Sequence, residues 1–209
     1  MYENKSLIMK KVVIGGSRAI AYLAQPVKDL LDTLIHNNDV IMVGDANGAD
    51  KATQKYLHAK GYSNVTVYCM FNLCRNNIGQ WPVKSIVTPN KTKNADYFGT
   101  KDLHMSRESD FGIMIWDGES KGTFRNVINL LDDNKHVYVY YYPNKRMSLI
   151  SSSNDFNNLI KTNSSKNASI FRHELHKRLQ MNKTITVSKF STPEKASIQG
   201  TFFKDYEPV

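Results

Sequence analysis

Five short stretches of the chain are almost wholly apolar: KVVI at 11–14, DVIMVG at 39–44, NVTVYCM at 64–70, FGIMIW at 111–116 and HVYVYYY at 136–142. Runs of this length without polar alternation predict strands buried on both faces, as in a parallel sheet. Helical spacing lies between them. Val27, Leu30, Leu31, Leu34 and Ile35 form one stripe after Gln25-Pro26, with proline at an early helical position. KATQKYLHAKG at 51–61 is a second helix closed by Gly61, and Phe124, Val127, Ile128 and Leu131 mark a third over 124–133. Strand, Gly-containing loop and helix recur in that order, which predicts an α/β class: a Rossmann-like, three-layer domain over residues 8–142 with about five parallel strands.

Two stretches break this rhythm. Residues 71–100 hold Gly79, Trp81, Pro82 and Pro89 among many Asn and Lys, and read as a long irregular loop. KDLHMSRES at 101–109 reads as a short helix. Past Pro143 the chain turns rich in Ser and Asn, and residues 143–209 read as a separate basic extension, partly helical. Its helix spans 170–181, with Ile170, Phe171, Leu175 and Leu179 on one side, free to lie on a partner. TITVSKF at 184–190 is expected as a late edge strand.

Charge sharpens that division. The net charge of +9 is uneven, with 17 Lys/Arg against 14 Asp/Glu in residues 1–142 and 11 against 5 in residues 143–209. A basic tail suits nucleic acid or an anionic small ligand, and equally a solubilising surface. No run is long and apolar enough to span a bilayer, and the N-terminus has no secretory apolar region. Cys69 and Cys74 are too few for a disulfide framework and lack zinc-site spacing, so a reduced, cytoplasmic setting is expected. His173 and His176 lie at i, i+3 with no third ligand in view, and neither a metal nor a cofactor is expected.

The candidate chemistry lies in three loops: GGSR at 15–18, GDANGAD at 44–50 and DGESKGT at 117–123. In a parallel sheet all three open on one edge, where ligands bind in open α/β folds. Free N–H groups and the positive end of a helix favour an anion there. None of the loops matches a Walker A or a full G-x-G-x-x-G pattern, so ATP hydrolysis and NAD-linked hydride transfer are not indicated.

The order GGSR, then G-x-x-x-G-A-D opening a helix, then a Met-containing helix ending in S-D, then a strand and S-K-G-T, resembles the SLOG superfamily, with its YspA-like branch nearest. The resemblance covers residues 10–142. Relatives include LOG-type phosphoribohydrolases, Smf DNA-processing proteins and ADP-ribose-sensing domains. It implies a Rossmann-like sheet that captures or senses a nucleotide or nucleotide-derived molecule, and a homodimer or higher homo-oligomer. It assigns Gly16, Ser17 and Arg18 to one part of the ligand, and Gly44, Asp45, Gly48 and Asp50 to a second wall. Ser120, Lys121, Gly122 and Thr123 would hold phosphate. Lys101 and Asp102 fall where the hydrolases carry an Arg-Lys pair, and Asn126 falls where they carry a catalytic Glu.

Those replacements argue against hydrolysis, because an amide cannot act as a general base. If the chain is nonetheless an N-glycosidase of nucleoside 5′-monophosphates, Asp45, Asp117 or Glu119 is the candidate carboxylate. A nucleic-acid binder using the basic tail is the remaining reading. Each residue also has a plainer role: Arg18 pairing with a surface acid, Asp50 capping its helix, Arg107 as a surface charge, and Trp81 and Trp116 as core.

Overall fold

A computed structural model of the chain describes residues 9–89, 92 and 95–187. The apolar runs become β1 (Lys11–Gly16), β2 (Val40–Gly44), β3 (Val65–Met70), β5 (Phe111–Trp116) and β6 (Val137–Tyr141). Two strands add to them, β4 (Val83–Ile86) and β7 (Arg146–Ile150). The sheet runs β4-β3-β2-β1-β5-β6-β7, parallel except for β7, which pairs antiparallel with β6. The fold is a Rossmann-like α/β fold.

Strand faces separate two cores. On one face Val12, Ile14, Ile41, Val43 and Val67 meet Val27, Leu30, Leu31 and Leu34 of α1 (Gln25–His36) and Leu57 of α2 (Ala49–Ala59). On the other, Val13, Met42 and Met114 meet α3 (Ala95–Glu108) through Tyr97 and Met105, and α4 (Lys121–Asp132) through Phe124, Val127 and Ile128. These are three layers, and alternate residues of each strand serve opposite helical layers.

Several expectations change. The stretch 71–100 contains β4 and the first turns of α3, whose 14 residues extend well before the short helix expected at 101–109. β4 escapes a period-based reading because it is a four-residue edge strand with Val83 and Lys84 exposed.

The chain past Tyr142 also continues the sheet and the core. β7 completes the sheet edge, and α5 (Ser153–Lys161) and α6 (Ala168–Val187) follow it. Phe156 of α5 and Phe171 of α6 are fully buried against Trp116 and Phe124, with Phe124 and Phe171 stacked at 4.5 Å between ring centroids. Phe171 and Leu175, expected to face a partner, are therefore spent on the chain's own core. Thr184–Val187, expected in a strand, are the last turn of α6, and Ser188–Phe190 lie outside the described residues. No helix among the described residues is long and apolar enough to cross a membrane.

The two cysteines are not free thiols. Cys69 at the end of β3 and Cys74 in the following loop form a disulfide, their Cα atoms 5.2 Å apart. Trp81 and Trp116 are both buried, as core residues. Arg107 is an exposed helix-surface charge.

Candidate functional site

The strand order reverses between β1 and β5, so the loops leaving these neighbouring strands diverge and open a crevice at their carboxyl ends. A cleft of about 710 Å³ occupies it, within the range of small-molecule sites. Of the residues expected at a ligand, Gly16, Arg18, Gly44, Asp50, Lys101, Ser120, Lys121, Gly122 and Thr123 line this cleft; Ser17, Asp45 and Gly48 do not.

The three that stand outside build the walls. Ser17 is fully buried; its Oγ accepts from the Asp117 N–H at 3.1 Å and lies 3.3 Å from Thr123 Oγ1, joining the first loop to the third. Gly48 takes φ +83°, and a Cβ there would collide with the Arg18 backbone, so only glycine lets the first two loops close on each other. Asp45 is held by Arg75, whose Nη2 and Nε donate to its two oxygens at 2.7 and 2.9 Å while the Arg75 backbone N–H donates at 3.1 Å. Burial alone would raise the Asp45 pKa, but these bonds and the guanidinium charge hold it below the ordinary carboxylate range.

Asp45 is thus a structural anion and not an available base. Arg75→Ala leaves its carboxylate, only 4 % exposed, without its ion-pair partner, Lys101 acting on it only at longer range. A loss of about 2 kcal/mol is expected, below the cost of breaking a fully buried pair because Arg75 is itself 36 % exposed to screening solvent. Urea denaturation measures it.

The other two carboxylates proposed for hydrolysis are also engaged. Asp117 Oδ1 accepts the N–H groups of Glu119 and Ser120 at 2.9 and 2.8 Å, shaping the turn that starts α4. Glu119 accepts from the Lys166 N–H at 3.2 Å and the Asn167 amide at 3.1 Å.

The phosphate loop differs in detail from expectation. Helix α4 begins at Lys121, three residues before the predicted start. Ser120 is its N-cap, accepting from the Thr123 N–H at 3.3 Å, and the Thr123 hydroxyl donates to Ser120 Oγ at 3.0 Å. These hydroxyls are spent on the cap, while the Lys121 and Gly122 backbone N–H groups in the first turn have no recorded partner among the described residues.

Opposite this helix end lies a charged floor. Gly44 has no Cβ, and one would collide with Asp50 Oδ2 and Lys101 Nζ, so the glycine admits both side chains. Lys101, 4 % exposed, sits 2.8 Å from Asp102 Oδ1. Burial opposes its charge, but Asp102 and Asp50 outweigh that and raise its pKa. Asp50 is 6 % exposed and caps nothing at α2; its Oδ2 accepts from the Ala46 N–H at 3.2 Å. Burial pushes its pKa up to about 6 despite Lys101, with Asp102 and Asp45 adding repulsion.

Neither a protein-family model nor a curated protein matches the chain. Among solved structures it is similar to the X-ray structure of DNA processing protein A from Streptococcus pneumoniae, with 16 % identity and a TM-score of 0.47. That similarity covers 71 % of this chain and 61 % of the other, so the chain spans less than two thirds of that protein's length.

Residues that sequence reasoning did not place at the site complete the cleft. Phe98 of α3 lies near two guanidinium groups, with Arg18 at 5.4 Å and Arg75 at 4.9 Å from its ring centroid. Lys166 and Asn167 come from the loop between α5 and α6. That loop is bound to the α4 turn: Asn163 Nδ2 and Ser165 Oγ donate to the Gly118 carbonyl at 2.9 and 2.8 Å, and Asn167 donates to the Glu119 carbonyl at 2.9 Å. The Ser/Asn-rich composition of 151–167 was its only signal, since such side chains replace backbone partners in loops.

Proposed function

We propose that the cleft binds a nucleotide or a nucleotide-derived small molecule, with phosphate at the start of α4. The observation that carries this reading is the first turn of α4, where the N–H groups of Lys121 and Gly122 face a large cleft at the sheet's reversal point. Lys121 and Lys166 add positive charge at that end, and Phe98 offers an aromatic face. The loop order resembling SLOG domains supports the same ligand class.

The test is to denature the purified protein and identify released nucleotide by mass spectrometry, alongside melting curves with nucleoside monophosphates, NAD and cyclic ADP-ribose isomers. A ligand at 100 times its Kd stabilises by about 2.7 kcal/mol, which is several degrees for a domain of this size. No released nucleotide and no shift with any of them would overturn the reading.

Hydrolysis is the second reading, on one observation: Asp50 is a buried carboxylate in the cleft with its pKa near the working range of a general acid or base. Release of free base at about 1 s⁻¹ or faster, lost in Asp50→Asn, would put it first.

A further inference from the structure

Gly15 lies at the end of β1, on the floor of the cleft. The nearest atoms to a Cβ built there are Met114 Sδ at 3.6 Å, Asp50 Oδ1 at 3.7 Å and the Asn126 amide at 3.9 Å, all ordinary contact distances. The glycine therefore leaves a space one carbon wide between two polar side chains. The Asn126 amide is assigned the orientation that satisfies its neighbours, with its nitrogen donating to Asp102 Oδ2 at 3.3 Å and to the Gly122 carbonyl at 3.2 Å, and in that assignment its carbonyl oxygen is the atom toward Gly15. Asp50 Oδ2 is occupied by the Ala46 N–H, while Oδ1 accepts no hydrogen bond among the described residues. Two acceptors converge on one small space, and no hydrogen bond to either of these oxygens is recorded among the described residues.

Charge points the same way. The groups facing Asp50 are Lys101 and Asp102 on α3, Asp45 on the loop after β2 and Arg75 on the loop after β3. Arg75 neutralises Asp45, and Lys101 neutralises Asp102. Asp50 feels Lys101 and Arg75 at longer range but forms no ion pair with either, and a buried charge so weakly compensated is costly. A ligand that supplies neutral donors here relieves that cost. Asn126 donates to the Gly122 carbonyl in that orientation, which ties this acceptor pair to the first turn of α4.

Resting on the nucleotide reading above, we propose that Asp50 and Asn126 form a subsite for the vicinal hydroxyls of a ribosyl 5′-phosphate, so that the cleft selects ribonucleotides over deoxynucleotides. Each hydroxyl donates to one acceptor, and Gly15 keeps the space open for them.

Calorimetric titration of the full chain at pH 7.5 with adenosine 5′-monophosphate and its 2′,3′-dideoxy analogue tests this. The ribonucleotide should bind at least about 30-fold more tightly, as expected for hydrogen bonds to a charged group. Asp50→Asn should reduce that ratio to about threefold or less. Gly15→Ala, which introduces no contact under 3.6 Å, should fold with the wild-type melting curve and lose the same preference. Equal binding of both nucleotides by the wild type, or full discrimination retained in Asp50→Asn, overturns the subsite and leaves the nucleotide reading standing. Binding of neither nucleotide at millimolar concentration overturns both.

Discussion

Asp50→Asn stabilises the ligand-free protein at pH 8. The folded chain holds the Asp50 proton more tightly than the unfolded chain does, with a pKa of about 6 against 3.8. The stabilisation from that proton is complete below pH 3.8 and is lost as pH rises through about 6. At pH 8 the folded state carries a buried carboxylate at a net cost of about 3 kcal/mol, with the attraction to Lys101 already counted in the shift. Melting curves from pH 3.5 to 8 should converge for wild type and variant at the acid end, part progressively as pH rises from 3.8 to about 6 and keep a constant gap above that, with the variant higher by several degrees. Asp45 titrates in the opposite sense, since its depressed pKa contributes stability that is lost as pH falls, so the comparison is the difference between the two proteins at each pH. Curves that stay parallel across the range would mean that Asp50 is not held as a strained acid. A residue that weakens the empty protein yet lines its cleft is what a binding site requires, because strain at such a position is relieved only by ligand.

Gly122→Asp abolishes nucleotide binding and leaves the fold intact. The nearest atom to a Cβ at Gly122 is Ser120 Oγ at 3.9 Å, so the side chain has room. It gains helix propensity over glycine and places a negative charge in the first turn of α4, each worth about 0.5–1 kcal/mol in favour of folding. The same carboxylate stands where phosphate would approach the Lys121 and Gly122 N–H groups, blocking it by volume and by charge. Calorimetry should detect no binding at ligand concentrations a hundredfold above the wild-type Kd, while the melting temperature is equal or higher. Unchanged affinity in this variant would move the anion away from α4.

The α/β class and most of the sheet were legible because FGIMIW, VIMVG and VTVYCM are buried on both faces, and burial of that kind is written as uninterrupted apolar residues. The three Gly-containing loops followed from the same reading, since a parallel sheet sends every such loop to one edge. β4 and β7 were not legible, being short edge strands whose outer positions are polar or exposed, so no period marks them. Phe156 and Phe171 read as isolated apolar groups in a polar tail, and only the hollow beside Trp116 and Phe124 makes them core. Within the site, residue type was visible and role was not. Asp45, Asp50, Asp117 and Glu119 are equivalent carboxylates in the sequence, but Arg75, brought from 30 positions away, neutralises the first, and the α4 turn and the tail loop engage the last two. Sequence by itself determined where the five buried strands, the first two helices and the glycine turns between them fall, because propensity and hydrophobic period are local. Which acid remains buried with a free oxygen was decided by tertiary structure alone, because burial and charge pairing depend on groups far apart in the chain.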